Sequence, residues 1–429
     1  MKVAFNTLGC KVNQYETNVM IGQFINKGYQ IVSFNDKADI YVINTCTVTN
    51  MSDRKSRQML RSAKKKNING IVVAVGCLAQ IGKDELEKID EIDLILGNED
   101  KKQIVKYIEK YLKDKNDKIF VSDIMKQDKY ETEELTTFYE KTRAIVKVQD
   151  GCNNYCSYCI IPYARGKIRS KPFEDSINEM QSIANNGYKE IVITGIHVCS
   201  YGKDLDNDIS LIDLLEKINR IEGLKRIRLG SLEPTIITKE FMERLIKLDK
   251  FCPHFHLSLQ SGNDKTLKTM NRKYTTEQIK NIVNIIREYY PEANITTDII
   301  VGFPGETDED FEITYNFLKQ INLNKMHVFK YSIRKGTVAS RMDNQVSPQI
   351  KTSRSDKLLN LSDTNEISHL KKYIGKQVEV LLEEKDNEYM KGFTLNYLHT
   401  KIKTDKQSNE IVKGRVVDIK NNMLIVEEL

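Results

Sequence analysis

The sequence predicts an α/β protein in three parts: an N-terminal open α/β domain with a parallel sheet, a central partial barrel of six β/α units, and a C-terminal small β-barrel. Three observations predict it. Through the first 125 residues short apolar runs alternate with longer polar, helix-compatible segments. From residue 142 to about 341 six further strand-like runs follow, the first five each trailed by a helix-compatible stretch. From Lys371 the pattern changes to short alternating runs with turns between them. At 429 residues the chain exceeds the roughly 100–200 of one domain, so a core in each part is expected.

In the first part the runs are VAF at 3–5, IYVI at 40–43, IVVAV at 71–75 and IDLIL at 92–96. Lys113 to Lys141 is charged and broken, which suits a linker. The strands of the second part are expected near Ala144, Glu190, Arg226, Phe255, Ile295 and Lys325, with a polar linker and a helix over 342–370. The tail carries QVEVLL, GFTLNYL, GRVVDI and MLIVEE. The expected domains are therefore 1–125, 142–370 and 371–429. The N-terminal apolar stretch is too short and interrupted for a signal peptide, and no run approaches the roughly 20 apolar residues of a membrane span, so a cytoplasmic protein without membrane contact is expected. In that compartment eight cysteines point to metal binding or catalysis rather than disulfides. The formal charge of +6 is modest, and its distribution says more than its sum.

The strongest signal is GCNNYCSYC, in which Cys152, Cys156 and Cys159 follow the first strand of the central array as C-x3-C-x2-C. Three thiolates so spaced can hold three irons of a cubane cluster and leave the fourth open to a ligand. A zinc site is the alternative, but it normally wants a fourth Cys or His nearby, and none follows. The position at the C-terminal end of a β/α strand is where barrel active sites sit. The segment closely resembles the signature of the radical S-adenosylmethionine (SAM) superfamily. The resemblance implies a 4Fe-4S cluster whose open iron chelates SAM, with one electron cleaving the sulfonium to a deoxyadenosyl radical. Later strand ends resemble SAM-contacting segments of that superfamily: ITGIH with Gly195, GSLEP with Ser231 and Glu233, LSLQSG with Gln260, and DIIVGFPGET with Asp298 and Gly302. On its own GFPGE reads equally as a Gly/Pro turn and Glu233 as a cap.

Cys10, Cys46 and Cys77 are far apart in sequence, yet each lies just beyond the carboxyl end of an expected parallel strand, where ligand crevices form in open sheets. Together they could carry a second open cluster; three buried free cysteines are the alternative. The words NTLGCKVNQYE, INTCTVTN and VGCLAQ closely resemble the N-terminal domain of the methylthiotransferase family. In that family a second 4Fe-4S cluster carries the sulfur to be inserted. Cys199 and Cys252 read as structural, and His254 and His256 as barrel packing or substrate contact.

Residues 51–66 hold seven basic residues (Arg54, Lys55, Arg57, Arg61, Lys64, Lys65, Lys66) against one acid, a phosphate-binding surface or a solvated helix face. Arg165, Lys167, Arg169 and Lys171 follow the cysteine loop and are expected to hold a substrate backbone. The tail has eleven basic and ten acidic residues, so its charge makes no case for RNA. Its wording resembles the TRAM domain of RNA-modifying enzymes, with Tyr397 and Lys401 as candidate contacts.

The ordered resemblance spans nearly the whole chain, and its wording is most similar to the branch acting on threonylcarbamoyladenosine in tRNA. It implies methylthiolation of carbon 2 of that nucleoside, on the 3′ side of the anticodon. SAM would serve twice, as methyl donor to cluster-borne sulfur and as radical source. The implied partners are the tRNA anticodon loop, a low-potential electron donor and a sulfur source. Isopentenyladenosine in tRNA and a ribosomal-protein aspartate are the alternative substrates; an electron carrier or an RNA-binding protein without chemistry are the alternatives outside catalysis. No acid or base is assigned, because carbon 2 is not electrophilic and has no leaving group.

Overall fold

The computed structural model describes residues 1–132, 142–206 and 208–429. Six parallel strands form the N-terminal sheet in the order Gln30–Val32, Lys2–Thr7, Ile40–Thr45, Ile71–Gly76, Leu94–Leu96, Ile119–Phe120. Every residue of Ile40–Thr45 and Ile71–Gly76 is buried, as in a parallel sheet covered on both faces. Successive side chains go to opposite sides. Val42, Val73 and Leu94 meet Phe24 and Ile108 on one side, whereas Tyr41, Ile43 and Val72 meet Leu60 and Leu86 on the other. The chain steps outward from Lys2–Thr7 to Gln30–Val32 and then back across to Ile40–Thr45, and such a reversal opens a crevice at the carboxyl ends of the strands.

Four of these strands coincide with the runs read from the sequence. Gln30–Val32 and Ile119–Phe120 are too short to leave a periodic signal, and they sit at the two sheet edges. The stretch expected to be a linker from Lys113 is therefore partly sheet: Ile119–Phe120 pairs with Leu94–Leu96 and Ile124 is buried. Residues 133–141 of that stretch lie outside the described residues.

All six expected strands of the central array are present: Arg143–Asp150, Glu190–Gly195, Arg226–Leu229 with Ser231–Leu232, His254–Gln260, Asn294–Val301 and Lys325–Lys330. Only Gly230 separates Arg226–Leu229 from Ser231–Leu232, and Ile227 bridges Phe251, so the strands form one curved parallel wall. Among the described residues the first and last strands are not paired, and the wall is open along that side. The N-terminal helix Lys11–Asn26 packs on the strand Arg143–Asp150, whose outer side pairs only with the short antiparallel strand Arg169–Ser170 at its end. The helix Pro348–Lys371, begun by Ser347 accepting from the Ile350 amide, runs beside the last strand, where the Met326 amide donates to Ser362 Oγ at 2.9 Å.

The tail closes into a five-stranded barrel around Val380, Leu382, Ile402, Val416 and Leu424. Arg226, at the start of its strand, donates to the carbonyls of Phe393 and Glu379 at 3.0 Å, and Arg228 to that of Leu395 at 3.2 Å. The small barrel thus stoppers the N-terminal end of the wall and leaves its C-terminal end free. No described helix is long and apolar enough to cross a membrane.

Candidate active site: two cysteine groups and the space between them

Gly151 turns the chain out of the first barrel strand at φ +70°, and a Cβ there would stand 1.8 Å from the Lys167 carbonyl oxygen, so the loop requires glycine. The loop is pinned by Cys152 N–H to the Gly166 carbonyl at 3.1 Å and by Ser157 N–H to the Met270 carbonyl at 3.1 Å. Burial pushes the Cys159 thiol up to about 12 and raises that of Cys152, and the charge of Cys156 acts on both in the same direction. Arg272 donates Nη1 to Cys156 Sγ at 3.3 Å and Nη2 to Glu233 Oε2 at 2.7 Å. A guanidinium therefore faces sulfur in this group, and Glu233 holds the guanidinium.

In the N-terminal sheet Cys10 caps the helix Lys11–Asn26, Cys46 follows Ile40–Thr45, and Cys77 follows Ile71–Gly76. Gly9 has φ +98°, and its absent Cβ would lie 2.8 Å from Cys46 Cβ. Only glycine lets the turn before Cys10 approach Cys46 this closely. Burial raises the Cys46 thiol to about 11, and Cys77 and Cys10 both add to that. Cys77 Sγ accepts from Arg165 Nε at 3.2 Å and lies 3.8 Å from Asn98 Nδ2.

Arg165 belongs to the barrel, just after the cysteine loop, so its contact with Cys77 joins the two groups. It also donates to Glu16 and Asn13 of the N-terminal helix and to Asp150 at 3.3 Å. Lys101 and Lys147 reach the same Glu16 at 2.6 and 3.0 Å. Burial alone would raise the Glu16 carboxyl, but these three cations outweigh it and hold it well below the usual carboxylate range. On the other flank Arg334 donates to Thr47 Oγ1 at 2.6 Å and Asp53 Oδ2 at 2.7 Å, tying the loop after the last barrel strand to the segment after Cys46.

Both groups fit an iron–sulfur cluster by the chemistry of their donors: three cysteines just past strand ends, with Cys46 and Cys77 buried, Cys152, Cys156 and Cys159 half-buried and Cys10 exposed, and a guanidinium donating to one sulfur in each. No three His, Cys, Asp or Glu side chains among the described residues converge as ligands of a single ion. Thiolates that hold different irons of one cluster stand wider apart than that.

A cavity of about 290 Å³ lies beside Cys159 and takes its walls from both halves, with Val48 and Thr49 on one side and Gln260, Asp298 and Ile300 on the other. Of the residues expected to contact SAM, Gln260 and Asp298 line this cavity, and Ser231 and Asp298 line a larger adjoining one. Gln260 adopts φ +71°, a left-handed conformation rare for a side-chain-bearing residue. Glu233 is bound to Arg272, Gly195 packs on Gln149, and Gly302 is closed into its turn by Glu306 and lies against Lys351.

The expectation for the basic segment after the cysteine loop needs correction. Arg165, Arg169 and Lys171 are 0%, 3% and 1% exposed and are not available to a substrate backbone. Their partners, Glu16, Asp150 and Glu179, draw them inside. Only Lys167 of that segment is exposed, and it pairs with Asp128. Tyr397 stacks on Phe393 beneath the guanidinium of Arg228, in the seam between the barrels, and Lys401 pairs with Asp386. Cys252 is fully buried, and Cys199 Sγ accepts the Glu233 amide at 3.2 Å. His254 packs inside the barrel, and His256 spans Thr296 and Asp298. On the helix Asn50–Lys66, Arg54, Lys55, Arg61 and Lys65 are exposed, while Lys64 is held by Asp93 at 2.8 Å. Arg272, Arg334 and Lys11 were not singled out from the sequence, because an isolated cation carries no pattern.

A parallel six-stranded wall with a three-cysteine loop at the C-terminal end of its first strand defines a radical SAM domain. Residues 146–318 match the radical SAM superfamily, and residues 2–97 match a family described as the uncharacterized protein family UPF0004. The fold is similar to that of the radical S-adenosylmethionine methyltransferase TsrM of Kitasatospora setae, with a TM-score of 0.58 at 14% identity over 79% of this chain and 77% of that one. The threonylcarbamoyladenosine tRNA methylthiotransferase MtaB of Bacillus subtilis is 42% identical over 97% of this chain and 93% of its own length. That of Aquifex aeolicus is 41% identical over 96% and 99%. The tRNA-2-methylthio-N(6)-dimethylallyladenosine synthase of Thermodesulfovibrio yellowstonii is 38% identical over 97% and 95%. The chain belongs to the tRNA methylthiotransferase family of radical SAM enzymes.

Proposed function

We propose that this enzyme transfers a methylthio group to carbon 2 of threonylcarbamoyladenosine, beside the anticodon of tRNA. The observation that carries the reading is the pairing of two three-cysteine groups, one at the carboxyl ends of each parallel sheet, joined by Arg165, with Cys159 and the Val48–Thr49 segment after Cys46 bordering one cavity. Relatives named for this reaction match nearly the whole chain.

In this reading Cys152, Cys156 and Cys159 hold one 4Fe-4S cluster, and Cys10, Cys46 and Cys77 hold the other. With SAM bound, these groups supply one-electron cleavage of the sulfonium and the sulfur to be transferred. The chain does the rest. Gln260 and Asp298 orient the adenosyl end of SAM in the cavity beside Cys159, whose apolar wall of Tyr158 and Ile300 excludes water from the reacting atoms. Ser231 and Glu233 offer a hydroxyl and a carboxylate to its ammonium group. Gly195 and Gly302 shape the flanking turns. No residue acts as a general base, since carbon 2 must lose hydrogen before sulfur can add.

Arg54, Lys55, Arg61 and Lys65, on the helix after Cys46, face outward and suit the RNA backbone. The tail, in this reading a TRAM domain, is a second RNA contact, and the domains divide as 1–125, 142–370 and 371–429. A low-potential electron donor and a sulfur source complete the system, which works in the cytoplasm. The test is nucleoside mass spectrometry of tRNA from cells with and without the gene. Loss of the methylthio group from threonylcarbamoyladenosine alone is expected; an unchanged nucleoside would overturn the substrate and leave the chemistry to be sought on another one.

A further inference from the structure

The larger cavity, about 470 Å³, fills the lumen of the six-stranded wall above the small barrel. Its lining is unusual for a barrel core. His254, His256, His327, His369 and His399 all border it, five of the chain's six histidines. Lys11 enters from the N-terminal half, one residue beyond Cys10. Asp298 and Phe329 line both this cavity and the one beside Cys159, so the two adjoin.

The polar groups of the lumen are not all satisfied. Lys325 is bound to Glu366 at 2.7 Å and His256 to Asp298 at 3.2 Å. Lys11 has no ion pair among the described residues, although its neighbours make many. His254 Nδ1 and His369 Nε2 are buried without a hydrogen-bond partner, and the His254 residue is only 7% exposed. An apolar guest would leave this cation and these ring nitrogens desolvated and unpaired, a strong penalty in a site built of polar groups. A carboxylate with a neighbouring hydroxyl would satisfy them.

The relatives divide on this chemistry. Those named for threonylcarbamoyladenosine act on a base whose N6 substituent ends in a carboxylate and a hydroxyl, whereas those named for dimethylallyladenosine act on one with a hydrocarbon substituent. Carbons 2 and 6 of the purine both adjoin N1. A group that grips the N6 substituent therefore borders the reacting carbon, and Lys11 directly follows a cysteine of the sulfur-carrying group. We propose that the lumen reads the N6 substituent of the substrate adenosine, with Lys11 pairing its carboxylate, and that this contact selects an acidic substituent over an apolar one. The inference rests on the tRNA reading above and adds the residue that makes the choice.

The test uses cluster-loaded enzyme and three anticodon stem-loops, carrying threonylcarbamoyladenosine, its threonine methyl ester, or dimethylallyladenosine, with binding followed by fluorescence anisotropy. Esterification removes the charge and keeps the shape, and is expected to weaken binding to the unmodified enzyme roughly ten- to hundredfold. Lys11→Met, checked for full iron content, should bind acid and ester alike, and Lys11→Arg should keep the preference. Equal binding of acid and ester by the unmodified enzyme overturns the inference without any variant having to fold. So does a Lys11→Met enzyme that still prefers the acid. If the enzyme methylthiolates threonylcarbamoyladenosine without distinguishing acid from ester, only this inference falls; if it acts on dimethylallyladenosine instead, the proposed substrate falls with it.

Discussion

Replacing Arg165 by Met should loosen the seam between the two halves of the enzyme. The side chain is fully buried, and it donates to Glu16, Asn13, Asp150 and Cys77 at once. Methionine fills the volume but leaves Asn13 Oδ1 without its 2.6 Å donor, at a cost of about 1 kcal/mol or more. The carboxylates are not abandoned, because Glu16 keeps Lys101 and Lys147, and Asp150 keeps Lys147 at 3.2 Å. The total therefore belongs at the lower end of the range for breaking a buried pair, about 3 kcal/mol. Spent on local opening, that energy raises the open population roughly a hundredfold. Hydrogen exchange read by mass spectrometry would show the increase in the helix Lys11–Asn26, while the tail strands Gln377–Asp386 and Ile411–Lys420 keep their protection. Arg165→Lys, which keeps the charge and loses the fork, should fall between. Unchanged exchange in Lys11–Asn26 for Arg165→Met would refute the claim that this network holds the halves together.

Three further outcomes follow from the same geometry. Cys156→Ala should abolish cleavage of SAM to deoxyadenosine, whereas Cys46→Ala should keep cleavage and lose methylthiolated product; chromatography of the nucleosides separates the two, and full product from both would sink the two-group assignment. Gly9→Ala combines an unfavourable φ of +98° with a Cβ 2.8 Å from that of Cys46, so the iron bound per chain should drop by about half while Cys156-dependent SAM cleavage survives. Glu190 is buried between Arg228, at 2.7 Å, and Arg226; burial alone would raise its carboxyl, but the guanidiniums hold it below its ordinary 4.5. Its contribution is then complete above about pH 4.5 and is lost as pH falls through the lower folded value, because the unfolded chain takes up the proton first. Glu190→Gln should cost about 3–5 kcal/mol at pH 7 and should remove this part of the acid sensitivity, read from urea midpoints at pH 7 and pH 4.

The strands of both sheets were legible because runs such as IVVAV are apolar without interruption, as strands buried on two faces must be. The two edge strands escaped notice, being three and two residues long. Cys10, Cys46 and Cys77 were legible through strand ends and through the family resemblance of the words around them, because their spacing is set by the βα units between them and not by a metal. The basic segment Arg165 to Lys171 was misread for a different reason. A run of cations looks the same in sequence whether it faces phosphate or buried carboxylates, and the deciding partner, Glu16, lies 149 residues away. Lys11 was invisible as a functional residue, since its setting is made by strands from the far half of the chain.

That buried network is costly, and an apolar seam of the same size would hold the halves at least as well. Its contact with a cysteine suggests what it gains. Among the described residues Lys101, Lys147, Arg165 and Arg169 gather around Glu16 and Asp150, and all six are less than a tenth exposed. The sulfur nearest to these cations is Cys77 Sγ, 3.2 Å from Arg165 Nε. A guanidinium donating to this sulfur suits the thiolate that holds a metal. Loading of the N-terminal cysteine group and docking of the two halves should then reinforce one another. Removing iron with a chelator under anaerobic conditions should raise hydrogen exchange in Lys11–Asn26, and Lys101→Met, which removes one of the buried cations, should reduce that rise. If exchange in the helix were the same with and without iron, the cations would be held without help from a metal-bound thiolate, and the coupling would not exist.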